Sequence, residues 1–241
     1  MSRVLLWFGF CTLLSTSLNL YAGVTIQGTR IIVPSNAKSV SVQLNNEFDT
    51  PALVQVWLDK GDMNSIPDAA EIPFLLTPSL TRVEAHSGQV IRVLPLGAPQ
   101  LPQDRESLFI FNMLDIPPEL QDGTNKLSFN VRTRLKLFYR PATLKVSQDK
   151  SFTSLSFNYD VKTQVIEVSN PSPYYMNLSK ITLNPEVENK SFSQAVMVEP
   201  FSKASFSNIQ FSTRPNNIKY YVINDLGGEN SYTTILNKTS S

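Results

Sequence analysis

Few residues in this chain could do covalent chemistry. Its 241 residues include one cysteine, Cys11, and one histidine, His86. Cys11 stands in an apolar N-terminal run, and His86 falls in the turn Ala85-His86-Ser87-Gly88, where a lone histidine reads as exposed. Thiol nucleophiles, serine triads and most zinc or copper sites therefore lack a base or enough ligands. Asp104 and Glu106 come nearest to a two-carboxylate hydrolytic pair. They lie in a loop with Arg105 between them, which weakens that reading. Nothing resembles a phosphate-cradling loop, and the two glycosylation-type triplets, Asn189-Lys-Ser191 and Asn237-Lys-Thr239, are short enough to arise by chance. These residues predict a protein that is no enzyme and holds no metal or cofactor.

The N-terminus has its own logic. Met1-Ser2-Arg3 gives a short positive start, and Val4 to Leu14 is apolar except for Gly9 and Thr12. A polar stretch then leads to Leu20-Tyr21-Ala22, the layout of a secretory signal cut after Ala22. The apolar run is shorter than the roughly 20 residues needed to span a bilayer. Removing 1–22 removes Cys11 and one of the 21 basic residues, Arg3, leaving 20 basic against 20 acidic. A neutral chain argues against nucleic-acid or membrane-surface binding through bulk charge. Without disulfides, the exported chain must be held by its core, and the 12 of 14 Phe that remain after residue 22, in a sequence 41% hydrophobic overall, suffice for that.

The elements that must position any binding residue read as strands. Ile31-Ile32-Val33, Ser39 to Leu44, Ala52 to Leu58 and Gln89 to Leu94 are β-branched or alternating runs separated by turn residues. Val40, Val42 and Leu44 alternate with Ser41 and Gln43, as a strand with one face in a core requires. Leu53 and Val54 break alternation, which predicts a strand covered on both sides or a bulge. Arg140-Pro141-Ala142 and the polar Val146 to Lys150 mark a boundary. The rhythm then restarts at Thr153 to Tyr159, Gln164 to Val168, Tyr174 to Leu178, Gln194 to Val198, Lys219 to Ile223 and Tyr232 to Leu236. No sequence repeat is visible. The expectation is an all-β chain of two β-sandwich domains, 23–143 and 144–241, after a leader of 1–22.

Specific strings then point to a family. Gly28-Thr-Arg-Ile-Ile32 resembles the first strand of the periplasmic pilus chaperones, the group that includes PapD. Leu101-Pro-Gln-Asp-Arg-Glu-Ser-Leu-Phe109, extended by Asn112 through Ile116-Pro-Pro118, is similar to that family's signature segment. Lys136-Leu-Phe-Tyr-Arg-Pro141 resembles the end of its first domain. Asn170-Pro-Ser-Pro-Tyr-Tyr175 and Ile223-Asn-Asp-Leu-Gly-Gly228 are family-like in the second half. Order and spacing agree along the whole chain.

The resemblance implies two immunoglobulin-like domains set at an angle with a cleft between them. It implies a periplasmic chaperone that binds pilus subunits lacking a final strand and delivers them to an outer-membrane usher. The chaperone lends a strand and anchors the subunit's C-terminal carboxylate. Arg30 and Lys136 fall at the anchoring positions, where a guanidinium can hold a carboxylate bidentately and an ammonium adds a point charge. The lent strand is Leu127 to Val131, whose Leu127, Phe129 and Val131 alternate with Ser128 and Asn130. On pattern alone that segment reads equally as an internal strand. Strict alternation puts Lys136 on the opposite face from Leu127, which predicts a bulge or twist between Arg132 and Leu135, with Arg132 and Arg134 facing solvent.

Glu106, Arg140 and Asp225 correspond to charges that meet between the domains, an arginine between two carboxylates fixing an angle. Phe138 and Tyr139 are expected at the domain junction. The short, cysteine-free connection Glu119 to Lys126 matches the short-loop subgroup, while neutrality and the lack of a second-domain cysteine pair depart from some members. An apolar edge strand also invites self-association of the unliganded chain. The alternative is a secreted two-domain adhesive or structural sandwich that binds through its loop tips.

Overall fold

The computed structural model describes residues 23–63, 71–118, 129–160, 162–183, 190–192, 195–206 and 216–238. The expected leader, the Glu119–Lys126 connection, Leu127 and Asn189 lie outside these residues. The first half contributes nine strands: β1 (Val24–Ile26), β2 (Arg30–Pro34), β3 (Val40–Asn46), β4 (Ala52–Asp59), β5 (Leu75–Thr77), β6 (Leu80–Val83), β7 (Gly88–Leu94), β8 (Ser107–Ile116) and β9 (Val131–Arg140). They form a sheet of order β1-β3-β7-β5 facing one of order β2-β9-β8-β4-β6. Val42, Leu44, Ile91 and Val93 from the first sheet meet Val54, Phe111, Met113 and Leu137 from the second in one core. Every one of these side chains is at least 96% buried, worth about 1.5–3 kcal/mol apiece.

The chain crosses between the sheets at Gln27–Thr29. Before the crossing β1 pairs antiparallel with β3, and after it β2 pairs parallel with β9. Gly28 sits in this corner at φ +100°, a conformation that side-chain-bearing residues avoid.

A one-turn helix α1 (Gln148–Phe152) opens the second half. Strands β10 (Ser156–Asp160), β11 (Val165–Ser169), β12 (Met176–Leu183), β13 (Lys190–Phe192), β14 (Val196–Val198), β15 (Lys203–Phe206), β16 (Asn217–Ile223) and β17 (Glu229–Lys238) follow. β10, β11 and β15 face β12, β16 and β17, and Phe157, Ile166, Phe206, Met176, Leu178, Tyr220 and Val222 fill the second core. β17 joins the two layers, pairing with β16 up to Ile235 and then parallel to β10 from Leu236.

A repeat hidden in the sequence appears here. Asn46, at the end of β3, donates through Nδ2 to the carbonyls of Thr50, Val83 and Glu84 and accepts from the Phe48 N–H. Asn170, just past β11, donates to Tyr174, Val198 and Glu199 and accepts from the Ser172 N–H and hydroxyl. Both are 1% exposed, and each ties the corner after one strand to a strand of the same sandwich. The Asn170-Pro-Ser-Pro turn is thus built on its asparagine as much as on its prolines.

Two expectations are corrected. The Leu53-Val54 run is neither bulged nor covered on both sides: β4 pairs with β8 in unbroken register, Val54 is fully buried and Leu53 is 40% exposed. Leu53 instead joins Pro51, Arg82, Ile116, Pro117 and Pro118 in an open apolar hollow. Tyr139 belongs to the first core, ring to ring with Phe74 at 6.2 Å, and only Phe138 reaches the junction. Alternation decides both, since Phe138 and Tyr139 must point to opposite faces.

Asn170→Ala should cost about 2–4 kcal/mol of second-domain stability, because three carbonyls, those of Tyr174 and Val198 buried and that of Glu199 partly so, lose their donor at once. Urea unfolding followed by tyrosine fluorescence would measure it; a loss under 1 kcal/mol would mean that water replaces the amide.

Candidate functional site

The parallel pairing of β2 with β9 makes Arg30 and Lys136 direct Cα partners. Their side chains share the face of the sheet that looks toward the second domain. Arg30 Nη1 donates to the carbonyl of Ile223 at the end of β16, 3.1 Å away. Lys136 Nζ donates to Asn177 Oδ1 on β12, 2.5 Å away. Among the described residues neither cation forms an ion pair with a carboxylate, and Arg30 Nε is buried with no partner. Burial lowers the pKa of Arg30, with Asp225 and Glu106 opposing from a distance. Burial also lowers that of Lys136, and the neighbouring Arg30 charge adds to it. Two like charges lie side by side, half-buried and with N–H donors to spare, an arrangement that an anion between them would stabilise.

Beside them stands a second constellation. Arg140 donates from Nε to Glu106 at 2.8 Å and through both terminal nitrogens to Asp225 at 2.6 and 2.9 Å. Glu106 also accepts from the Tyr175 N–H at 2.9 Å, and its own N–H donates to Pro173. The Arg140 guanidinium lies over the Tyr174 ring, and Phe138 meets Tyr175 at 5.6 Å. Burial works against the Arg140 charge, yet the two carboxylates outweigh it and raise its pKa. Burial pushes the Glu106 carboxyl up, with Arg140 and the Tyr175 amide opposing. Glu106 and Arg140 come from the first domain, Asp225, Tyr174 and Tyr175 from the second. The β16–β17 turn presses so close that a Cβ on Gly227 would stand 2.3 Å from the Thr29 hydroxyl.

Asp104 does not share this site. It is exposed and held by Arg105 at 2.8 Å, so the two carboxylates flanking Arg105 serve different surroundings. His86 is exposed as expected, with Asp49 2.8 Å from its Nε2.

The third feature is an edge. β9 pairs with β8 along its whole length, Val131 opposite Asp115 and Tyr139 opposite Ser107. Its pairing with β2 covers only Lys136 to Arg140. Among the described residues, Val131 to Leu135 have no partner on that side. Val131 is 54% and Phe129 67% exposed. The constant register with β8 rules out the expected bulge between Arg132 and Leu135. None is needed, because Val131 and Leu137 do share a face: it is buried in the core at Leu137 and open at Val131.

Arg132 and Arg134 are not solvent-facing either. Arg134 holds both oxygens of Asp59 at 2.9 and 3.0 Å, and Arg132 reaches Asp59 at 3.3 Å. Asp59 and Asn112 are fully buried. Sequence reading missed this cluster, although a signal existed: an aspartate closing the apolar run Ala52–Leu58 and an asparagine inside Phe109–Met113 both need buried partners.

Comparison with known proteins shows the family of this fold. Residues 23–145 match the family model of the pili and flagellar-assembly chaperone, PapD N-terminal domain, and residues 150–234 that of the pili assembly chaperone PapD, C-terminal domain. The chaperone protein HifB of Haemophilus influenzae is 40% identical over 225 residues, 91% of this chain and 90% of that one. The crystal structure of the CupB2 chaperone of Pseudomonas aeruginosa superposes with a TM-score of 0.74 at 37% identity, covering 88% of this chain and all of that one. The SafB chaperone of Salmonella enterica, in complex with the SafA pilin, gives 0.75 at 27% identity, covering 89% and 96%. These are two-domain chaperones with immunoglobulin-like sandwiches. The present chain belongs to the PapD family of pilus assembly chaperones.

Asp225→Asn should leave both cores folded but loosen the angle between the domains, at about 1–3 kcal/mol of docking free energy. Residual dipolar couplings would show it as two alignment tensors where the wild type needs one. A single tensor in the variant would assign the angle to Phe138, Tyr175 and the Gly227 contact instead.

Proposed function

We propose that this chain binds incomplete pilus subunits in the periplasm by lending them β9 and anchoring their C-terminal carboxylate at Arg30 and Lys136. The observation that carries the reading is the coincidence of a half-unpaired strand with two unneutralised cations at its foot. The side chains offered are Val131 and Phe129, with Leu127 two residues further on. Each apolar residue that docks in a subunit groove contributes about 1.5–3 kcal/mol, and main-chain hydrogen bonds along the edge set the register. A carboxylate entering between Arg30 and Lys136 satisfies the free N–H donors, at about 1.5–3 kcal/mol for each charge-assisted bond. Nothing in this scheme breaks or makes a covalent bond.

In this reading the leader 1–22 is cut near Ala22 during export, the domain 23–143 holds the subunit, and 144–241 supplies the far wall of the cleft. Glu106, Arg140 and Asp225 keep that wall in place. Handover to an outer-membrane usher follows binding. Without a subunit, the edge from Phe129 to Leu135 favours pairing with a second copy, and dilution-dependent light scattering measures that exchange.

Co-expression with the pilus subunit encoded beside this chain tests the scheme. Soluble one-to-one complex should accumulate with the wild type and be lost with Lys136→Ala or Arg30→Ala; equal recovery with either variant would sink the anchor.

The anchor should also titrate. The bound carboxylate raises the depressed Lys136 pKa back toward or beyond its usual 10.5, so affinity is full below the free-state value and falls as pH rises through the bound-state value. Calorimetry with a peptide of the subunit's C-terminus, run on the alkaline side of neutrality, should show this decline. In Lys136→Arg it should vanish, since guanidinium keeps its charge there.

A further inference from the structure

The cluster around Asp59 and Asn112, both fully buried, is used by neither the cleft nor the domain lock. Asp59 closes β4, and Asn112 sits at the middle of β8. Besides the three arginine contacts on Asp59, Asn112 Oδ1 accepts from Arg132 Nε at 3.0 Å, Arg132 Nη2 at 2.8 Å and Arg134 Nε at 3.1 Å. Asn112 Nδ2 donates to Asp59 at 2.8 Å, which fixes which way the amide points. The Gly61 N–H donates to Asp59 at 2.7 Å, while the Gly61 carbonyl accepts from Arg134 Nη2 at 3.3 Å and the Met63 carbonyl from Arg132 Nη1 at 3.1 Å. Arg132 also covers the Trp57 ring at 4.9 Å.

The position of this cluster is what points beyond stability. Both arginines belong to the half of β9 that lacks a second strand. They project from the face opposite Val131, so the cluster grips the strand from behind and leaves its offered face and edge open. Apolar side chains would stabilise the same sheet as well or better, since burying charge is costly. Apolar contacts would not hold a backbone extended where half of its ladder is missing.

We propose that Asp59 and Asn112 are positioning residues that keep Val131–Leu135 extended before any partner arrives, so that β9 is offered as a finished strand. This rests on the strand-lending reading above. A preformed strand binds without the ordering cost that a mobile segment would incur.

Hydrogen exchange on the free, full chain tests the clamp directly. In Asp59→Asn the amides of 131–135 that face β8 should exchange about tenfold faster or more, while 107–111 and 136–140 keep wild-type protection. Association with the subunit encoded beside this chain should slow by about tenfold, at a melting temperature close to wild type. If Asp59→Asn does not fold, the double variant Arg132→Gln/Arg134→Gln, which removes partly exposed side chains, takes its place with the same readouts. Unchanged exchange at 131–135 in a folded variant would overturn the clamp, as would faster exchange with unaltered association. Arg30→Ala run in parallel separates the two ideas. If it abolishes subunit binding while Asp59→Asn leaves association intact, the clamp fails and strand lending stands. If Arg30→Ala binds normally, the carboxylate anchor fails, and the exchange and association data for Asp59→Asn decide by themselves whether Asp59 holds the strand.

Discussion

The unequal pairing of β9 is the constraint on which the rest of this molecule depends. β8 accompanies the strand from end to end, whereas β2 joins it only from Lys136 onward. Where both neighbours are present, Leu137 and Tyr139 sit in a closed core and the opposite face becomes a wall of the cleft. Where one is missing, the same strand has an open edge and its apolar side chains face outward. The point at which β2 begins is therefore also the point at which the strand changes from an internal strand to an open edge. Arg30 and Lys136 mark that point, because they are the first pair in the parallel ladder.

Leaving such an edge open carries hazards that the surrounding residues answer. An apolar strand edge is a template for unwanted pairing, and a strand with half its ladder has little to keep it extended. Two half-buried cations add mutual repulsion. The second domain compensates for part of this through polar groups that are not charged: the Ile223 carbonyl and the Asn177 amide oxygen stabilise the cations without neutralising them. A carboxylate in either place would have neutralised them instead. The carboxylates that are present, Glu106 and Asp225, are instead committed to Arg140. Three cations and two anions thus share one junction, and hydrogen-bond geometry decides which cations are paired and which stay available.

How much of this was legible in the sequence varies with the kind of signal. Alternation in Val40–Leu44 and the β-branched run Ile31–Val33 were enough for strands, because a half-buried strand has to alternate. The cleft residues were legible only through family strings, since nothing in the local surroundings of Arg30 or Lys136 says that a parallel ladder will place them side by side. The predicted bulge failed for an instructive reason. It assumed that Lys136 must share a face with the apolar side chains of the strand, whereas the register leaves them on opposite faces and the face of Val131 and Leu137 passes from open to buried within six residues. Arg132 and Arg134 were misread because arginines on either side of Thr133 look solvated, and their acceptors lie more than fifty residues away or on another strand. The asparagine repeat escaped notice for the opposite reason: Asn46 and Asn170 sit in unlike strings, Asn-Glu-Phe and Asn-Pro-Ser, yet make the same bonds because the same corner of the sandwich recurs.

In the proposed mode of action, most contacts carry no sequence information. Every subunit has a C-terminal carboxylate, and a strand edge offers the same N–H and C=O groups to any partner. Discrimination must then come from where the anchor puts the side chains. Val131 lies five residues from Lys136, about 16 Å along an extended strand, and Phe129 about 7 Å further. A partner fixed at its carboxylate therefore meets these side chains at set distances, and a slip of one residue would turn its own alternating side chains to the wrong face. Tight anchoring and a rigid strand convert two unspecific interactions into a ruler. A flexible strand would lose that property even with every contact residue intact, since the register would no longer be read at a fixed distance. Rigidity from Lys136 back to Val131 is accordingly as much a requirement for selectivity as the identity of the apolar residues themselves.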